Sequence, residues 1–214
     1  MRKVPVAKEG LLFILPSLFL SFLFCFLGVW ALAALMLLLA FCFLFFFRNP
    51  ARPGVSGREE ILSAADGRVI AVEDLFESEF LREKVRRISV FMSLSDVHVN
   101  RAPCEGRVEK VEHRGGRFKV AFKKGVDEEN ERNYIVVRRN DERFLLVQIA
   151  GFIARRIICY VREHDVVEKG EQVGMIAFGS RVDVYMPTSY RPMVEVNQRV
   201  KSGLTALAKK EEKP

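Results

Sequence analysis

Two short stretches hold residue types and spacings with chemical use. The first runs from Gly174 to Pro187, Gly-Met-Ile-Ala-Phe-Gly-Ser-Arg-Val-Asp-Val-Tyr-Met-Pro. A Gly-Ser pair between two strand-like runs is by default a turn or a bulge. Gly179 nonetheless lacks a side chain, so its carbonyl can be twisted and closely approached, and the Ser180 hydroxyl is the adjacent nucleophile. That combination permits an N-to-O acyl shift across the 179/180 bond.

The second stretch is Phe91 to Pro103, Phe-Met-Ser-Leu-Ser-Asp-Val-His-Val-Asn-Arg-Ala-Pro. If Asp96 to Asn100 is extended, a period of two puts Asp96, His98 and Asn100 on one face and Val97 and Val99 on the other. A carboxylate two residues before a histidine can set its tautomer and basicity, and His98 then suits proton transfer near neutral pH. The outer face of an amphipathic strand gives the same pattern. His113 and His164 stand in polar, turn-like surroundings and are expected at the surface. Cys104 and Cys159 have neither Cys-x-x-Cys spacing nor a histidine pair, and Cys25 and Cys42 lie in an apolar segment, so no disulfide framework or zinc site is expected.

The elements that position these residues are legible in the charge pattern. The chain has 34 basic and 27 acidic residues, a net charge of +7, yet none of them falls in the 38 positions from Gly10 to Phe47. The remaining sequence is charged like a water-soluble domain, and the 167 residues after Phe47 can enclose a core. A bare transmembrane bundle is excluded because the later apolar runs are too short. Wholesale disorder is excluded because 50% of the residues are hydrophobic.

As one helix, Leu11 to Phe47 would be about 55 Å long against a hydrocarbon core of roughly 30 Å. Gly28, Val29 and Trp30 near its middle predict a helical hairpin over 11–47, two helices of about 17 residues joined by a tight turn. Arg2, Lys3 and Lys8 before it and Arg48, Arg52 and Arg58 after it put both flanks, and the aqueous domain, on the cytoplasmic side of the cell membrane, which an even number of crossings or a re-entrant loop satisfies. A cleaved signal peptide fits less well, since its apolar core would be far shorter and end in a small-residue cleavage site. The basic excess is spread out and accompanies no nucleic-acid motif, so it suits an anionic membrane surface or an ordinary solvated face, and no nucleic acid is expected as a partner.

Residues 1–10 form a basic flank, and 48–60, with Pro50 and Pro53, a stiff linker. From 61 to 200 the text is short apolar or alternating runs: Arg68–Val72, Ile88–Met92, Arg107–Val111, Phe118–Phe122, Tyr134–Val137, Phe144–Ile149, Ile153–Val161, Val173–Phe178 and Val182–Met186. These predict strands, hence a mainly β domain, barrel or sandwich. Leu75–Arg86 is the one stretch expected to be helical, and 201–214 is expected to be a mobile charged tail. Gly67-Arg68-Val69-Ile70 and Gly106-Arg107-Val108-Glu109 echo each other 39 residues apart, a hint of repetition that strand entry after a turn glycine also explains.

Phe47-Arg48-Asn49-Pro50, Ala65-Asp66-Gly67-Arg68-Val69, Asp96-Val97-His98-Val99-Asn100-Arg101, Gly115-Gly116-Arg117-Phe118, Asn130-Glu131-Arg132-Asn133, Gln148-Ile149-Ala150-Gly151, Ala154-Arg155-Arg156 and Phe178-Gly179-Ser180-Arg181-Val182-Asp183 together resemble the short form of the phosphatidylserine decarboxylase family, including its archaetidylserine relatives. The resemblance implies a proenzyme that cuts itself between Gly179 and Ser180 into a β chain of 1–179 and an α chain of 180–214. Ser180 would attack the preceding carbonyl, and elimination and hydrolysis would leave a covalently bound pyruvoyl group. That cofactor replaces pyridoxal phosphate: its carbonyl forms a Schiff base with the substrate amine and accepts the electron pair released with carbon dioxide. No metal is implied.

The same resemblance assigns Asp66 to self-cleavage and His98 to decarboxylation. Longer bacterial members carry a further histidine at the place of Arg101, as base for the serine. Arginine is a poor base, so either His98 serves both steps or Asp66 acts more directly, and His98, oriented by Asp96, is the expected base for both. Arg101, Arg155 and Arg156 are candidate ligands of the lipid phosphate, because a guanidinium matches phosphate oxygens bidentately. A substrate that stays in the bilayer needs an enzyme held at its surface, which the hairpin provides, and a homodimer is the expected assembly. The competing reading is a membrane-anchored carrier or adaptor of the lipoyl or biotinyl type, but the turn at Gly179-Ser180-Arg181 lacks the lysine a carrier needs. A zinc peptidase would need convergent histidines.

Overall fold

The computed structural model describes residues 5–53, 57, 59–116, 130–151, 156–176 and 180–211. It divides into two compact units, 1–51 and 52–214. The first is an antiparallel helix pair, α1 (Lys8–Phe26) and α2 (Trp30–Phe46). The turn between them needs a left-handed residue, supplied by Gly28 at φ 75°. At the open end, Ala7 N–H donates to the Phe47 carbonyl at 2.8 Å and Asn49 N–H to the Pro5 carbonyl at 2.7 Å. Ser21 Oγ donates across the pair to the Ala33 carbonyl at 2.8 Å, and Phe13 packs on Phe43 and Phe47. Large apolar side chains face outward all round: Leu12, Phe22, Phe26 and Trp30 are exposed. By length and composition α1 is able to cross a membrane, while α2, at 17 residues, is a shorter apolar helix.

The second unit is mainly β. Its strands are β1 (Glu60–Leu62), β2 (Gly67–Glu77), β3 (Glu83–Met92), β4 (Val99–Arg101), β5 (Gly106–Arg114), β6 (Arg132–Arg139), β7 (Glu142–Ala150), β8 (Ile157–Cys159), β9 (Val166–Val167), β10 (Gln172–Ile176), β11 (Ser180–Pro187), β12 (Tyr190–Pro192), β13 (Arg199–Val200) and β14 (Ala206–Lys210). The long sheet runs β13-β2-β3-β11-β7-β6-β5-β9, and two small sheets run β1-β14-β12 and β4-β10-β8. Alternation along the central strands sends Val90 and Met92, Leu146, and Val182 and Val184 into one core, which the small sheets help to enclose through Ile61, Leu207 and Ile176. A smaller cluster on the opposite face gathers Phe80, Leu81, Tyr134, Leu145 and Val147.

The strand order reads alike from both edges. Gly67 pairs with Val200 as Gly106 pairs with Val167, and both strands bulge two residues on, after Val69 and after Val108. Val69 exchanges backbone hydrogen bonds with Asn197 and Gln198 as Val108 does with His164 and Asp165, and Asn197 and His164 share a left-handed φ of 75° and 77°. A Cβ on Gly67 would lie 2.0 Å from the Phe91 carbonyl oxygen and one on Gly106 2.4 Å from that of Arg138, so both echoed glycines are steric necessities. The domain is thus two like halves meeting at the β7–β11 pair. In one half β6 turns directly into β7, with Arg139 opposite Glu142. In the other, β3 and β11 pair the same way, Met92 opposite Ser180, but the whole of the other half is threaded between them.

Two expectations are corrected. Leu75–Arg86 is a β-hairpin, because the Glu77 carboxylate accepts the backbone N–H groups of Glu79 and Phe80 at 3.0 and 2.9 Å and so closes a turn where a helix would have used those amides otherwise. The end of the chain is not a loose tail as far as it is described. Ala206–Lys210 is the middle strand of a small sheet, with Leu207 and Ala208 fully buried. Phe118–Phe122 and most of 152–156 lie outside the described residues, and the strand expected over Ile153–Val161 is described as β8 alone.

Candidate active site

Ser180 opens β11, a central strand paired with β3 on one side and β7 on the other. Strand parity turns Ser180 inward with Val182 and turns Arg181 and Asp183 to the opposite face. There Arg181 holds the Asp183 carboxylate with two hydrogen bonds of 2.9 and 2.7 Å. This buried bidentate pair rivets the head of the strand on the face opposite the serine. Ser180 is fully buried, and its hydroxyl donates to Met92 Sδ at 3.3 Å. Gly179 lies outside the described residues.

His98 is fully buried, and its carbonyl accepts the N–H of Ile176, the last residue of β10 and four positions before Ser180. The segment around it departs from the extended strand expected. Asp96 sits in the turn after β3, where its carboxylate accepts the Ser93 N–H at 2.8 Å and the Ser93 hydroxyl at 2.6 Å and faces Arg199 at 3.3 Å. Strand geometry begins at Val99, and Val97 to Arg101 is buried throughout, so this is not the outer face of an amphipathic strand.

Asp66 ends the approach to β2. Its carboxylate pairs with Arg52 at 2.8 Å and accepts the Ser202 N–H at 2.7 Å. Arg101 belongs to the same neighbourhood: burial, and then the adjacent Arg52 charge, pull its guanidinium below the usual arginine range against the opposing pull of Asp66, and its Nη1 donates to the Gly170 carbonyl at 3.0 Å. Of the other arginines singled out, Arg156 is exposed and Arg155 lies outside the described residues. Cys104 is buried, and burial pushes its thiol up to about 12, so it is inert as a nucleophile. Among the described residues no group of three histidines, cysteines or acids is placed to hold a metal ion.

The structure adds groups that the sequence pattern left without a role. Gln148 and Asn133 face each other across β7 and β6 on the inner side, with Asn133 Nδ2 donating to Gln148 Oε1 at 2.9 Å. Gln148 Nε2 donates in turn to Asn100 Oδ1 at 2.8 Å, and Asn100 Nδ2 points at Met92 Sδ, 3.6 Å away. Gly174 makes room for this: a Cβ there would lie 2.5 Å from the Ile158 carbonyl oxygen and 2.8 Å from Gln148 Nε2. The available signal was one polar residue of core parity in the apolar run Phe144 to Ala150.

A buried serine stands at the head of a central strand, in a β domain that follows an apolar helix pair. Comparison with known proteins supplies the family. The sequence profile of phosphatidylserine decarboxylase matches residues 39–208, and the chain belongs to that family. It is 43% identical over 204 residues to the phosphatidylserine decarboxylase proenzyme of Syntrophus aciditrophicus, covering 94% of this chain and 96% of that one. Against the proenzyme of the same name from Carboxydothermus hydrogenoformans it is 42% identical over 94% of this chain and 95% of the other. Against that from Ralstonia pickettii it is 46% identical over 76% of each.

Proposed function

We propose that this chain is a proenzyme that cuts itself between Gly179 and Ser180 and then decarboxylates a serine phospholipid, phosphatidylserine or its archaeal ether counterpart, to the ethanolamine lipid. The observation that carries the reading is the placement of Ser180: first residue of β11, buried, opposite Met92. Its register mate in the other half of the domain, Glu142, follows a tight hairpin turn. A break before Ser180 therefore falls where a strand connection is dispensable, and every strand pair of β11 survives it.

The residues present fit a pyruvoyl group formed from Ser180, since the side chain to be converted lies at the strand head, buried and against Met92. That group supplies an electron-accepting carbonyl for the pair released with carbon dioxide. His98, on the segment hydrogen-bonded to the end of β10, removes the proton from Ser180 Oγ and later returns one to the substrate Cα. Asp66 acts as a positioning residue, fixing Ser202 and Arg52 against each other, and Asp96 holds the turn that leads into His98. Arg155 and Arg156 are the arginines offered to the lipid phosphate. Arg101, buried against Gly170, is better suited to setting the field around Asp66.

A two-chain lipid stays in its bilayer, so the apolar helix pair serves as the anchor, two spans returning the chain to the cytoplasmic side with the catalytic domain there. A homodimer is the assembly proposed. Intact-mass measurement of the purified protein tests the central claim. Two fragments meeting at 179/180 are expected, with the smaller blocked to Edman degradation and labelled by borohydride in the presence of substrate. A single unmodified polypeptide from active membranes would overturn it.

A further inference from the structure

Three buried amides beside Ser180 have no part in the chemistry above. Asn100, Asn133 and Gln148 are all at or below 1% exposure, in a layer that the neighbouring Leu146 and Ile135 fill with hydrocarbon. Burying amides where hydrocarbon would fit costs stability unless their groups are hydrogen-bonded. Here they form a one-way relay, Asn133 to Gln148 to Asn100, at 2.9 and 2.8 Å. Each link fixes the next amide's orientation, since flipping Gln148 would set N–H against N–H. The relay ends on Asn100 Nδ2, whose acceptor is Met92 Sδ at 3.6 Å, the same sulfur that receives the Ser180 hydroxyl at 3.3 Å. A thioether is a weak acceptor. Two donors therefore converge on one weak acceptor.

Resting on the self-cleavage reading, we propose that Asn100 is the donor that stabilises Ser180 Oγ during the acyl shift, with Gln148 and Asn133 as its positioning residues and Met92 as a placeholder. In that step the base takes the Oγ proton, the freed electron pair bonds to the Gly179 carbonyl carbon, and the carbonyl π pair moves onto its oxygen. That pair returns as the bond from the carbon to the Ser180 nitrogen breaks, and the nitrogen takes a proton. The product is an ester, and no atom is gained or lost. Negative charge builds on Oγ as its proton leaves, and a fixed N–H in a dry site meets it without reorganisation. The sulfur holds the resting hydroxyl without competing for it.

The test uses the full chain made by cell-free translation and follows scission by intact mass. Asn100→Leu keeps the volume and removes the donor, and scission is expected to slow about 10–10²-fold, the worth of a hydrogen bond to a charged group. Gln148→Leu should slow it less. Asn100→Asp carries a donor only while its carboxyl is protonated, so its scission should persist at acid pH and fade as pH rises through that titration, a limb the parent chain lacks and a merely structural role would not create. Hydroxylamine, which opens esters, should release no fragments from arrested Asn100→Leu. Wild-type rates in Asn100→Leu, a parental pH profile in Asn100→Asp, or fragments released by hydroxylamine would each overturn the proposal. If Asn100→Leu fails to fold, the Asn100→Asp profile decides. A parent chain that never cuts at 179/180 removes the self-cleavage reading itself, whereas a cutting parent with unaffected variants removes only the role of Asn100.

Discussion

The carboxylate of Asp66 accepts the backbone N–H of Ser202 at 2.7 Å, and these two residues lie on opposite sides of the 179/180 bond. The proposed products are therefore tied together by an acid of one and a backbone amide of the other. β11 between β3 and β7, β14 against β1, and β13 against β2 add ladders that also join the two. The short C-terminal fragment is expected to co-elute with the long one in native size exclusion and to separate only in denaturant. Its free release under native conditions would contradict the arrangement.

Removing the Asp66 side chain strands Arg52, whose side chain is 8% exposed. A buried ion pair broken on one side typically costs about 3–5 kcal/mol. Asp66→Ala should lower the denaturation midpoint accordingly, and Arg52→Met in the same chain should recover part of the loss. Additive losses in the double variant would show that the pair is not coupled.

His98→Ala is expected to abolish decarboxylation and to leave the chain whole, and Ser180→Ala likewise. Mass spectrometry and release of labelled carbon dioxide read the two effects separately. Normal cutting in His98→Ala would restrict His98 to the second reaction.

Gly174→Ala forces a Cβ against the Ile158 carbonyl and Gln148 Nε2. Overpacking of this kind costs about 1–3 kcal/mol. The thermal midpoint should fall, and scission should slow with it if Gln148 is displaced. An unchanged midpoint would show that β8 and β10 can move apart.

Burial pushes the Glu142 carboxyl up, but hydrogen bonds from Lys210 and Tyr190 outweigh it and hold the group below the usual carboxylate range. A depressed folded pKa means that the contribution is complete above the unfolded value, about 4.3, and lost as pH falls through the folded one. Stability measured down an acid series should drop over that window, and Glu142→Gln should flatten the drop. An identical acid limb in the variant would show that Glu142 does not hold β14.

The Gly-Ser pair and the apolar segment were legible because their signals are local: two adjacent residues for an acyl shift, and one run too long for a single span with a glycine near its middle. The Leu75–Arg86 hairpin is not legible in the sequence because apolar and acidic spacing there suits a helix, and the turn is decided by the Glu77 side chain capping amides that follow it. Ala206–Lys210 reads as tail because its lysines are conspicuous, while the burial of Leu207 and Ala208 depends in part on β1, more than a hundred residues earlier.

By itself the sequence determined the helix pair, the β character of the domain and the residue that can attack its own backbone, since composition, period and adjacency are properties of neighbouring residues. Only the tertiary structure decided that Asp66 binds Arg52 and Ser202, that Asn100 is the end of an amide relay, and that Gly67 and Gly106 mark two halves of one design. Those relationships join residues far apart in the chain, and whether two such groups meet is set by strand register, which a single misplaced residue would turn to the opposite face.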